Sequence, residues 1–345
     1  MIFKIGFGPM YTLILIFLIA AIISFAAVPL IKKLASVVGA MDVPHSSLQI
    51  HNRPIPRLGG LAIFFGFVAA MLFGLSFGNL LEPKAGRQVL PLLFGATMII
   101  ALGVVDDIKG VQPWHRFFVQ IPVAILLILF GIKINIPFVL PLGIVLTIFY
   151  VISACNSLNL LDGVDGLAAG ATSIAAIGFC VVFLKKGDPL GCILSVALVG
   201  STLGFLWYNF APASIFMGDA GSLFLGYILA VLAIRYLRTP DGFLNFLVPV
   251  AILGVPIFDT ALTVMRRSIN RMPLLPGDRG HCYDKLMDRG LNSKQTVFIM
   301  YEMGIVFAIT GILFTEIALI PAVILMACEI AGLIIMVLKF DMLSC

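Results

Sequence analysis

The chain has 345 residues, 61% hydrophobic and only 11% charged, with a formal net charge of +5. That composition excludes an ordinary water-soluble globular domain, and no stretch is long and polar enough to form one beside the apolar segments. The small basic excess is ordinary for the loops of a membrane protein; with no stripe of basic and aromatic residues, it needs no nucleic-acid partner, and none is expected.

Apolar runs of about 18 residues or more read as membrane-spanning helices. Eleven are predicted, at 9–31, 59–77, 89–105, 117–132, 138–155, 164–184, 189–208, 220–237, 243–265, 295–315 and 317–338. The first is too long for a signal-peptide core and lacks a small-residue cleavage site after it, so it reads as a span. The expected fold class is all-α, a polytopic integral membrane helix bundle forming a single domain over 1–345. An odd number of spans puts the termini on opposite sides. The loops at helix ends 1/2, 3/4, 5/6, 7/8 and 9/10, with the C-terminus, carry fourteen of the twenty-two Lys and Arg residues. The positive-inside bias places that side in the cytoplasm and the N-terminus outside. All four histidines and all but two of the thirteen aspartates (Asp188 and Asp241) fall on the same side. The six cysteines show no metal-ligand spacing and read as small apolar filler. The alternation over Ile132–Pro137 predicts a short outer hairpin.

Polar clusters interrupt the chain at span ends on the inner side. Arg53-Pro-Ile-Pro56-Arg57-Leu-Gly59-Gly60 offers two arginines and two glycines able to hold phosphate oxygens, although the charge bias alone would supply the arginines. Asp106-Asp107 closes the third span. Adjacent carboxylates on a helix diverge by about 100°, so one can face the interior while the other faces a loop. Their place at a helix C-terminus opposes the macrodipole, which puts a functional reading level with that of a solvated helix end. Asn156, Asn159, Asp162 and Asp165 recur at i, i+3, a polar ladder along one helical face unless Gly163 and Gly166 bend the chain. Oxygen donors without histidine or thiolate suit a hard ion, Mg²⁺ or Mn²⁺, better than zinc; helix capping accounts for one or two of the four. Phe216-Met-Gly218-Asp219-Ala-Gly221-Ser222 opens the eighth span, with Asp219 a metal ligand or a plain N-cap and glycines that let backbone N–H groups approach an anion. Asp259 lies inside the ninth span, where a carboxylate is functional or paired. The longest inner loop, Arg266 to Lys294, carries seven cations around Pro276-Gly-Asp278-Arg279-Gly-His281; contact with anionic lipid accounts for the charge alone. Carboxylates gathered at one membrane face repel one another unless a cation sits among them. The expectation is a metal-dependent enzyme acting on a charged substrate at a membrane surface.

In order, over nearly the whole chain, Arg57-Leu-Gly-Gly60, Asp106-Asp107, Asn156 to Gly166, Met217-Gly-Asp219 and Asp278-Arg-Gly-His281 resemble the motifs of the polyprenyl-phosphate N-acetylhexosamine-1-phosphate transferases, a superfamily of membrane enzymes. The resemblance implies a cell-membrane bundle of ten or eleven spans with its active site at the cytoplasmic face. It also implies Mg²⁺-dependent transfer of sugar-1-phosphate from a UDP-N-acetylhexosamine to undecaprenyl phosphate, releasing UMP. By position it implies Asn159 and Asp219 as Mg²⁺ ligands, with Mn²⁺ as a substitute ion, and Asp106 beside the lipid phosphate. With Asp107, Asp162 and His281, Asp106 completes the expected catalytic set; Arg53, Arg57, Arg116, Asn156, Asp165, Phe216 and Arg279 form the expected substrate-binding set, Phe216 stacking on uracil. The last loop reads His281-Cys282-Tyr283-Asp284-Lys285, one histidine where the muramoyl-pentapeptide branch carries three, so the chain is closer to the N-acetylglucosamine branch. Expected partners are a UDP-N-acetylhexosamine, undecaprenyl phosphate and bilayer lipid, with a homodimer left open. The rival classes fare worse. A transporter places its charges near the bilayer midplane, often in repeated halves, and a CDP-alcohol phosphotransferase requires an arginine that Asp165-Gly-Leu-Ala-Ala-Gly lacks.

Overall fold

The computed structural model describes residues 7–43, 54–77, 83–136, 139–238, 243–273 and 280–344. Helix α1 (Phe7–Val38) leads through strands β1 (Met41–Asp42) and β2 (Ile55–Pro56) to α2 (Gly59–Phe77) and α3 (Pro83–Lys109). A 3₁₀ turn (Pro113–Arg116) runs directly into α4 (Phe117–Leu129), followed by α5 (Leu140–Leu161), α6 (Leu167–Lys186), α7 (Pro189–Asn209) and α8 (Gly218–Tyr236). The chain closes with α9 (Phe243–Ile252), α10 (Gly254–Ile269), α11 (Cys282–Asp288), α12 (Ser293–Leu313) and α13 (Leu319–Lys339). The result is an all-α polytopic membrane bundle. Among the described residues nine helices are long and apolar enough to cross a membrane, or ten if the bent pair α9–α10 is counted as one span. The expected fourth span is the shorter helix Pro113–Leu129, which enters neither number.

Helix α8 is the axis. Sixteen of its residues are buried, among them Phe224, Tyr227 and Tyr236, because α2, α3, α5, α6 and α7 surround it. Such a helix needs no amphipathic pattern, since every face meets protein. At the other extreme, α13 is mostly exposed, with Ile320, Ile324, Ile330, Ile334, Ile335 and Leu338 on the outside of the bundle, as suits a lipid-facing helix. Its Glu329 accepts a hydrogen bond from Thr310 of α12, which satisfies a carboxylate on an otherwise apolar helix.

Two expectations about local structure change. The predicted single span 243–265 is two helices meeting at 81°. Pro256 has no N–H to give the carbonyl of Ile252, so the α-helical ladder stops there and Pro256 sits instead in the first turn of α10, where that loss is tolerated. Nor does the described part of Ile132–Pro137 form a strand; Ile132 and Ile134 are buried, and the Ile134 N–H donates to Thr147 Oγ1 at 3.0 Å. Pro137 lies outside the described residues. The strand pair is elsewhere, Met41 opposite Pro56 and Asp42 opposite Ile55, joining the end of α1 to the start of α2. At the end of the bundle away from the polar clusters, Asp188 caps α7 and takes both Nε and Nη2 of Arg235 at 2.6 Å, an ion pair that ties α7 to α8.

Candidate active site

One guanidinium gathers the polar clusters. Arg116, at the end of the 3₁₀ turn, donates Nε to Asp106 Oδ2 at 2.8 Å, Nη1 to Asn159 Oδ1 at 2.6 Å and Nη2 to Asp219 Oδ1 at 3.2 Å. Residues from α3, the 3₁₀ turn, α5 and α8 therefore meet at one end of the bundle. Asn159 Nδ2 donates both to Asp219 and to Ser222 Oγ, the latter at 2.9 Å, so the amide is held between helices α5 and α8. The second oxygen of Asp106 accepts the Val111 N–H at 2.7 Å, closing the loop after α3 over its own last turn.

Asp107 points the other way and does something different. Its Oδ1 accepts the Asp219 N–H at 2.9 Å and its Oδ2 the Ala220 N–H at 3.0 Å. The carboxylate that opposes the dipole of α3 thus complements that of α8, whose first N–H groups lack intrahelical acceptors. The expectation that these N–H groups meet a substrate anion is corrected, because the anion in place is Asp107. Gly218 has φ +72°, and a Cβ there would lie 2.5 Å from Asp107 Oδ2.

The glycines after Arg57 also serve packing. Gly59 N–H donates to the Phe216 carbonyl at 3.0 Å, Gly60 N–H to Met217 at 2.8 Å, and Phe216 N–H to Pro56 at 2.8 Å. These groups are spent on the chain, which corrects the reading of the glycine pair as a phosphate cradle. Gly60 backs directly onto the main chain of Gly221, a contact with no room for a side chain. Arg57 itself donates to Asp42 Oδ1 at 2.9 Å across the strand pair. Arg53, Asp278 and Arg279 lie outside the described residues.

The predicted polar ladder holds for Asn159 and fails beyond it. Helix α5 ends at Leu161, and Gly166 at φ +81° turns the chain into α6. Asp165 consequently leaves the helical face and accepts the Ala213 N–H at 2.8 Å, fixing the loop that carries Phe216. Asn156 lies one turn deeper, donating to Gln120 of α4 and to the Ile152 carbonyl, outside the Arg116 network. Asp162 sits at the turn. Burial and then the carboxylates of Asp219 and Asp107 hold its carboxyl well above the usual range, with the Arg57 guanidinium opposing.

His281 begins α11, with Nδ1 2.8 Å from Asp259 Oδ2 and its ring stacked on Tyr283. Tyr283 donates its hydroxyl to the Leu160 carbonyl at 3.1 Å, which brings the last loop against the end of α5. Sequence reasoning passed over Asn209, which accepts the Gly166 N–H and donates to the Ile215 carbonyl, joining the two loops that flank the site. Its signal was a buried amide at the end of an apolar span. Ser222, one turn after Asp219, joins the network by accepting from Asn159.

Among the described residues no three His, Cys, Asp or Glu side chains converge as a ready-made metal site. The donor set still fits a hard divalent ion. Asn159 and Asp219 offer adjacent oxygens, which Arg116 occupies with its own positive charge, and Mg²⁺ takes only one or two protein carboxylates, completing its shell with water and substrate phosphate.

Residues 89–237 match the family model described as glycosyl transferase family 4. The chain is 36% identical over 312 residues to a Bacillus subtilis (strain 168) protein named "Probable undecaprenyl-phosphate N-acetylglucosaminyl 1-phosphate transferase", covering 88% of this chain and 85% of the relative. It is 32% identical to a Mycobacterium tuberculosis decaprenyl-phosphate N-acetylglucosaminephosphotransferase, covering 94% of this chain and 88% of the relative. A phospho-N-acetylmuramoyl-pentapeptide-transferase of Staphylococcus saprophyticus is more distant, at 27% over 86% of this chain and 98% of the relative.

Proposed function

Since this chain belongs to glycosyl transferase family 4 and is a multi-pass membrane glycosyl-1-phosphate transferase, we propose that it moves N-acetylglucosamine-1-phosphate from UDP-N-acetylglucosamine to undecaprenyl phosphate and releases UMP. The observation that carries this reading is the Arg116 network, which draws Asp106, Asn159 and Asp219 from separate helices to one end of the bundle. A lipid phosphate can reach that end from the bilayer and a nucleotide sugar from water. The excess of Lys and Arg in the loops at that end supports a cytoplasmic orientation, where UDP-sugars are found.

Asn159 and Asp219 hold Mg²⁺ in this reading. When bound, the ion neutralises the pyrophosphate and the charge that develops on the departing UMP. Arg116, displaced from those oxygens, keeps Asp106 and turns its other nitrogens to phosphate, which suits its forked geometry. A lipid phosphate oxygen attacks the phosphorus bearing the sugar, forming a new pyrophosphate as the bond to the bridging oxygen of UMP breaks. A phosphate monoester is mostly dianionic at pH 7, so the attack needs little from a base. Both Asp106 oxygens already accept hydrogen bonds, which suits a residue that orients Arg116 better than a covalent nucleophile. Labelled UMP is therefore expected not to exchange into UDP-sugar when lipid is absent; exchange at a rate comparable to turnover would establish a covalent sugar-phosphate instead.

The donor is tested by incubating purified protein with undecaprenyl phosphate, Mg²⁺ and a panel of UDP-sugars and weighing the lipid products. The mass of a lipid pyrophosphate carrying N-acetylglucosamine is expected. Efficient transfer from UDP-muramoyl-pentapeptide would replace this reading with the muramoyl one.

A further inference from the structure

We propose that Asp259 is a positioning residue for His281, fixing both the ring and the turn of chain that carries it. The proposal rests on the proposed transferase activity and on the expectation that His281 belongs to its catalytic set. Asp259 is 0% exposed and lies just past the bend between α9 and α10. Both of its oxygens are directed at the start of α11. Oδ2 is 2.8 Å from His281 Nδ1, and Oδ1 accepts the Cys282 N–H at 2.7 Å. A carboxylate buried in a membrane bundle is costly unless its partners satisfy it. Here the two partners are consecutive residues, so the carboxylate is satisfied only when His281 faces α10 in this orientation. Thr263, one turn further along α10, places its hydroxyl 3.2 Å from the same ring nitrogen.

The first turn of α11 reinforces this placement. The His281 and Tyr283 rings stack at 5.3 Å with planes 7° apart, and Asp284 accepts the His281 N–H at 3.2 Å. With Nδ1 beside a carboxylate, Nδ1 is the ring nitrogen that carries a proton, which fixes the tautomer of the neutral ring. Tyr283 in turn reaches Leu160, two residues before Asp162. A residue inside a span thereby governs a ring at the active-site end without itself meeting substrate.

A double-mutant cycle separates this from a general packing role. Asp259→Asn leaves one oxygen for two donors and is expected to lower kcat by about 10- to 100-fold. His281→Ala is expected to lose at least as much, and the double variant to be no worse than His281→Ala alone. Costs that multiply in the double variant overturn the proposal. Asp259→Glu, which keeps the charge and displaces the ring by one methylene, is expected to recover part of the loss and carries the same cycle should the amide variant fail to fold. Hydrogen exchange over residues 280–288 is read on the same proteins without substrate. Asp259→Asn and Asp259→Glu are expected to expose the Cys282 amide, and unchanged protection in both overturns the proposal. An inactive wild-type chain would instead defeat the proposed function, and the exchange measurement would still decide the role of Asp259.

Discussion

Asp106 and Asp107 share a peptide bond and little else. Asp106 orients Arg116, whereas Asp107 accepts the first N–H groups of α8 and so fixes the helix end that presents Asp219. Asp107→Ala is expected to destabilise the fold by about 1–2 kcal/mol, the scale of a lost cap at a helix N-terminus, seen as a lower thermal midpoint in detergent; an unchanged midpoint contradicts the capping role. Asp219→Asn removes a charged oxygen from the proposed ion site. Its turnover is expected to fall at least about 100-fold, and Mn²⁺ binding measured by electron paramagnetic resonance to weaken; ordinary activity at ordinary Mg²⁺ would rule the assignment out. Asp162 makes a pH-dependent statement. Its carboxyl is held above the usual range, so the unfolded chain releases that proton first and the metal-free fold loses stability as pH rises above the ordinary carboxylate range. In the proposed function, a divalent cation bound among the carboxylates would offset this. The rise in thermal midpoint on adding Mg²⁺ is expected to be larger at pH 8 than at pH 5.5, and equal rises at the two pH values contradict the account.

At the scale of elements, close backbone contact decides what the loops can do. The first turns of α2 and α8 meet at Gly60 and Gly221, where a Cβ has no space, while Gly332 of α13 has nothing within 4 Å of one. Gly60→Ala is expected to cost about 1–3 kcal/mol through overpacking. Gly332→Ala is expected to be neutral or slightly stabilising, since alanine is the better helix former. Thermal unfolding of the two variants side by side checks the contrast. The sequence carried the spans clearly because lipid imposes length and hydropathy on each one separately. It carried the bend after Ile252 poorly, since 243–265 stays apolar enough to read as one span and only Gly254 and the missing N–H of Pro256 mark the break. Nor could it say that the N–H groups of Gly59 and Gly60 are consumed by Phe216 and Met217, because that depends on which helix ends meet.

For the whole molecule, the scarcity of carboxylates made the site legible. In a chain 61% hydrophobic, Asp106, Asn159 and Asp219 stood out, and folding brings them together through Arg116 although they are spread over more than a hundred positions. Asp165 and Asn156 were drawn onto the same face by their spacing, but the turn at Gly166 sends one to Ala213 and the depth of the helix leaves the other with Gln120. Spacing along a helix does not reveal where the helix stops. The central claim is that sugar and phosphate travel together from the nucleotide to the lipid. The direct measurement uses UDP-N-acetylglucosamine labelled with ³²P at the β-phosphate, incubated with purified protein, Mg²⁺ and undecaprenyl phosphate. The label is expected in the lipid product, with unlabelled UMP released. Label left in UDP while the sugar alone moves to lipid, or no transfer to lipid at all, would contradict it.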